Sequence, residues 1–107
     1  MSTTTPAPEF VPAAVGELVI LTTREAAYIG TAGHVDPSGR VLTVDVPGRF
    51  GMVMVDQVGP DARVQVAKGS DAQRAALAAA VRERAGGGTF PHRLALVTFV
   101  KAAVATA

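Results

Sequence analysis

At 107 residues the chain makes one domain with room for a real core, and it is too short for two. Hydrophobic residues are 49% of it and charged ones 18%, with no Trp and only four Phe and one Tyr, so the core must be built from small and β-branched side chains. A net charge of +1 offers no global field to a polyanion, and the lack of cysteine excludes disulfides and thiolate chemistry.

The opening MSTTTPAPEFVPAAVG carries three prolines and a threonine run, which disfavour regular structure before Val15. Residues 1–15 read as an extended Pro/Thr-rich arm, and residues 16–107 as a single compact β-rich domain. Phe10, Val11 and Val15 are spaced apolar anchors of the kind with which one subunit clasps another; the competing reading is a disordered leader. No basic residue precedes an apolar segment at the start, and the apolar runs fall short of the roughly 20 residues a membrane span needs. These features suit a cytoplasmic product, or part of an assembly built in the cytoplasm, with no membrane partner.

Strands dominate the next stretch. ELVILTT, residues 17–23, is continuous and β-branched and predicts a first strand. A second covers Ala27–Val35, where Gly30 and Gly33 suggest a bulge or a close crossing. Asp36-Pro37-Ser38-Gly39 has the residues of a type I turn. It leads into a third strand in which Leu42, Val44 and Val46 alternate with Thr43 and Asp45, predicting one buried and one wet face. Pro47 and Gly48 turn the chain into Met52-Val53-Met54-Val55, an unbroken apolar run that predicts a strand covered on both faces, as at the centre of the sheet or at a subunit contact; the hairpin is read as central. After Gly59-Pro60, alternation of Arg63 and Gln65 with Val64 and Val66 predicts a short fifth strand near an edge, giving a meander.

Ser70 and Gln73 have capping-box spacing, and Asp71 suits the positive end of a helix over about residues 71–85. Leu77, Ala80, Val81 and Ala85 form its thin apolar stripe, and Gly86-Gly87-Gly88 stops it and predicts a flexible linker. The segment from Arg93 to Lys101 is apolar on both faces, which predicts a sixth strand inserted into the sheet, with a helix as one reading of the chain after Lys101. The expected fold is therefore mainly β, α+β: a five- or six-stranded antiparallel barrel or sandwich with one helix and an extended N-terminal arm.

No strong catalytic motif emerges. His34 and Asp36 lie near one another before the Asp-Pro turn, and His92 follows the glycine loop; together they would be a metal or acid–base site, but their spacing matches no metal signature and each suits a solvated loop. Gly86–Gly88 and Thr89 follow a helix, whereas a phosphate loop precedes one. Ser38 and Ser70 have turn and cap roles and lack the nucleophile-elbow context. Asp45 and Asp56 would face each other across the central hairpin as a carboxylate pair, or merely solvate it. No cofactor or metal is implied.

Two non-catalytic readings remain. Arg24, Arg40, Arg49 and Arg63 at strand ends, with Tyr28 and Phe50 as stacking faces, would make a nucleic-acid surface, although the arginines are interspersed with nearly as many acids. The favoured reading is a non-enzymatic interaction or assembly protein, a structural or accessory subunit. It would associate with itself or a larger complex through Phe10, Val11 and Val15 of the arm and the Met52 and Met54 sheet surface.

Overall fold

In the computed structural model the described residues are 13–48, 51–58 and 61–105. Six antiparallel strands form an open sheet: β1 (Leu18–Thr22), β2 (Ala27–Val35), β3 (Val41–Asp45), β4 (Met52–Met54), β5 (Arg63–Val66) and β6 (Thr89–Phe90). Their spatial order is β4-β3-β2-β1-β5, and β6 adds to the part of β2 that β3 leaves free. A 3-10 turn at Val55–Gln57 follows β4, and two helices, α1 (Asp71–Glu83) and α2 (Arg93–Val104), complete the chain. The result is a small mixed α+β fold.

The fifth strand at an edge and the first helix match the sequence expectation, but the meander holds only from β1 to β4, because β5 crosses over to pair with β1. Ser70 caps α1 as its spacing predicts: its hydroxyl accepts from the Gln73 backbone N–H, and the Gln73 side chain accepts from the Ser70 N–H. Gly30 and Gly33 also act as expected. A Cβ on Gly30 would lie 2.2 Å from the Asp45 carbonyl oxygen, so only glycine lets β3 cross so close, and the β2–β3 register shifts around Gly33.

Several expectations are corrected. The sheet does not close into a barrel, since β4 and β5 are the two ends of the strand order and do not pair with each other. The segment from Arg93 is a helix, not a sixth strand: Leu96, Phe99, Val100 and Ala103 recur at the 3.6-residue period and pack in one cluster, which outweighs the β-branched composition. The hairpin of β3 and β4 lies at one side of the sheet, with β4 as an edge strand. Its burial alternates, Val53 inside and Met52 and Met54 exposed, so it is covered on one face only. On β3, Leu42 is 38% exposed while Val41 is buried, because the irregular β2–β3 register brings Val41 into the core near Val44.

Two apolar clusters hold the fold. Val19, Leu21, Ala32, Val44 and Val53 lie in one that takes no helix residue; the sheet itself wraps around it, helped by Val55, Val58 and Ala62 in the connection between the edge strands. On the other face Ala27 and Ile29 of β2 meet Leu77 and Val81 of α1, Phe90, and Leu96 of α2. Each such large side chain contributes about 1.5–3 kcal/mol on leaving water. The glycine loop is no flexible linker: Gly87 and Gly88 are buried, the Gly88 N–H donates to the Pro47 carbonyl at 2.9 Å, and the Gly88 carbonyl accepts from the Ile29 N–H at 2.8 Å.

Candidate functional site

His34, Asp36 and His92 each have a local role. His34, exposed near the end of β2, is hydrogen-bonded through Nδ1 to Thr43 Oγ1 at 2.9 Å. Asp36 organises the turn into β3. Its Oδ1 accepts from the Ser38 hydroxyl at 2.6 Å, the Ser38 N–H at 2.9 Å and the Arg40 N–H at 3.1 Å. These bonds, the Ser38 hydroxyl foremost and the Arg40 N–H next, hold its carboxyl below the ordinary 3.8. His92 caps α2, with Nδ1 accepting from the Ala95 N–H at 3.1 Å. Since Phe90 pairs with Ala27 at the start of β2, His92 and His34 belong to opposite ends of that strand, about 20 Å apart at the usual rise per residue. Among the described residues no three His, Cys, Asp or Glu side chains converge on a metal-sized space.

Asp45 and Asp56 do not face each other. Asp45 is opposite Met52 in the ladder, and Asp56, in the 3-10 turn, is 3.6 Å from Arg40. The glycine loop presents no free anion cradle either. Arg84 at the end of α1 donates through Nη1 to the carbonyls of Gly87 and Thr89, both at 2.9 Å, and its guanidinium lies 4.0 Å from the Phe90 ring centre. Its charge thus complements the negative end of α1 and staples the loop to the helix layer.

The arginine and aromatic set is dispersed. Arg24 pairs with Asp61 at 3.0 Å and Arg40 with Asp56, while Arg49 and Phe50 lie outside the described residues. Tyr28 pairs across the sheet with Leu21, which pairs with Val64; Arg63 is opposite Thr22. Strand alternation therefore puts the Tyr28 ring and the Arg63 side chain on opposite faces.

Of the interaction residues, Phe10 and Val11 lie outside the described residues. Val15, Met52 and Met54 are exposed, the two methionines at 46% and 47%. Met52 and Met54 point to one face of β4, whose single strand neighbour among the described residues is β3. The chain enters the fold at Ala13, which packs against the helix-free cluster and donates its N–H to the Gly39 carbonyl at 3.0 Å, beside the start of β3.

A cleft of about 230 Å³ lies where β1 and β5 pass under the first turns of α2. Its walls include Thr22, Arg63, Gln65 and Arg93 over Ile20 and Leu96. Thr22 is directly opposite Arg63 and Ile20 directly opposite Gln65, so all four share the helix-facing side of the sheet. Of these the sequence singles out Arg63 alone as a site residue; the grouping needs both the β1–β5 register and the helical state of α2, which the spacing of Leu96, Phe99, Val100 and Ala103 signals.

Comparison with protein-family models, with curated proteins and with solved structures finds no significant match to this chain.

Proposed function

We propose that the protein is a non-enzymatic assembly subunit, made in the cytoplasm, that associates with further copies of itself through β4 and the N-terminal arm. The observation that carries this reading is the pairing of two half-exposed methionines, Met52 and Met54, on an edge strand with one side unpaired among the described residues. Methionine is flexible and polarizable, so it adapts to a partner surface, and an edge strand offers backbone donors and acceptors to an extended segment. The arm is such a segment by composition. It joins the fold at Ala13 beside β3, the neighbour of β4, and the twelve residues before Ala13 reach up to about 40 Å when extended. Phe10 and Val11 of one copy laid along β4 of the next would cover Met52 and Met54.

Light scattering after size exclusion tests this at matched concentrations on the full chain, on a chain starting at Ala13, and on Met52→Lys/Met54→Lys. The expected result is an oligomer for the full chain and a smaller species for both variants. A full chain that runs as a monomer overturns self-association.

A further inference from the structure

We propose that the cleft between β1, β5 and the start of α2 binds a small organic anion, a carboxylate or phosphate on a short apolar stem. The helices cover the face of β1 and β2 that carries Ile20, Ala27 and Ile29, and at the β5 edge of the sheet no residue of the strand joins that cluster. There the helix-facing residues of β5 are Arg63 and Gln65, both exposed, where an apolar pair would have let α2 close down. Arg93, in the first turn of α2, enters the same cleft from the opposite wall.

The chemistry of the lining has one sign. Two guanidinium groups, a threonine hydroxyl and a glutamine amide line the cleft, and none of its walls is acidic. Arg93 has no partner among the described residues, and an oxyanion seated in the cleft would accept charge-assisted hydrogen bonds from its guanidinium. Ile20 and Leu96 supply an apolar floor, which favours a ligand with a hydrocarbon part over a bare ion. The volume lies below the roughly 300–1,000 Å³ of pockets for drug-sized molecules, so the ligand is small. The cleft sits at the β5 edge, away from β4, and does not depend on the assembly reading.

Amide chemical shifts of the full chain, followed by NMR during titration with butyrate, inorganic phosphate and butanol, test the proposal. The expected result is saturable shifts at Thr22, Gln65 and the first turn of α2 with an anion and none with butanol, butyrate binding more tightly than phosphate if the group is a carboxylate. Arg93→Gln should weaken binding about tenfold, the loss of one charge-assisted hydrogen bond, whereas Arg82→Gln on the exposed side of α1 should leave it unchanged. The proposal is overturned if neither anion saturates, if butanol matches butyrate, or if Arg93→Gln binds as the parent does. Because Arg93 is exposed and has no partner among the described residues, its replacement leaves the fold intact, and an unchanged spectrum elsewhere verifies this.

Discussion

Gly88 and Ile29 approach so closely that a Cβ built on Gly88 would lie 2.0 Å from the Ile29 carbonyl oxygen, with the Ile29 N–H donating to the Gly88 carbonyl at 2.8 Å. This contact ties the end of the helical segment to the middle strand. It also fixes the entry to β6 and hence the position of α2 over the cleft.

Gly88→Ala should therefore destabilise the protein by about 3 kcal/mol, at the upper end of overpacking costs, because the clash is with backbone. Gly16→Ala is the control. Nothing lies within 4 Å of its Cβ, so only the strain of its positive φ of 91° remains, and its cost should stay at about 1 kcal/mol, the strain of one left-handed residue. Urea unfolding of the two variants measures the difference; equal costs would refute the close-approach account.

Arg84 supplies a second test of the same loop. Its guanidinium serves two carbonyls and covers the Phe90 ring, a geometry that an ammonium does not reproduce. Arg84→Ala should cost about 2 kcal/mol, and Arg84→Lys should recover less than half of that. Thermal unfolding of both variants decides it: full recovery by lysine would mean that charge alone matters.

How far the sequence disclosed this arrangement depended on whether the deciding interaction was local. Ser70 and Gln73 announce α1 because a capping box is complete within four residues. Asp36 to Gly39 announce their turn for the same reason, and Gly30 marks a close crossing without naming the strand that crosses. In α2 the local signals conflict: Val97, Thr98, Phe99 and Val100 have strand propensity, while Leu96, Phe99, Val100 and Ala103 carry a helical period that wins because it buries one stripe against Phe90 and α1. Met52 to Val55 is apolar throughout, and composition alone does not distinguish a strand covered twice from an edge strand with two exposed methionines. The cleft residues come from three separate stretches of the sequence and share no motif; the β1–β5 pairing and the helical state of α2 join them.

The Asp36 turn carries a pH prediction. Its carboxylate form receives the hydrogen bonds, so its folded pKa is depressed, and the stability it contributes is present above the unfolded value and lost as pH falls through the folded one. In an NMR titration Asp36 should have a midpoint below 3.8, and Ser38→Ala should raise it by removing the largest cause. A midpoint unaffected by Ser38→Ala would exclude the hydroxyl as the source.

His92 distinguishes a cap from a catalytic or metal-binding histidine. Nδ1 accepts from the Ala95 N–H, so His92→Ala should cost about 1 kcal/mol, and His92→Asp, which keeps an acceptor at the cap, should restore most of it. Calorimetric melting compares them. A loss that aspartate does not restore, or a melting temperature of the parent that falls on adding a chelator, would contradict the capping role.

The alternation along β4 separates folding from assembly. Val53 is 2% exposed, opposite Val44 and inside the helix-free cluster, so Val53→Ala should destabilise the fold by about 2 kcal/mol through lost burial and the cavity left behind. Met52 and Met54 flank it on the other face, half exposed, and Met54→Ser should change monomer stability by no more than about 0.5 kcal/mol. If β4 is the surface that neighbouring copies cover, Met54→Ser should nevertheless raise the dissociation constant of the oligomer, because it removes apolar area from the contact without disturbing Val53. Sedimentation equilibrium reads the association and urea unfolding at low concentration reads the fold. An oligomer as tight in Met54→Ser as in the parent would place the contact elsewhere on the molecule, and a large loss of monomer stability would show that Met54 belongs to the core.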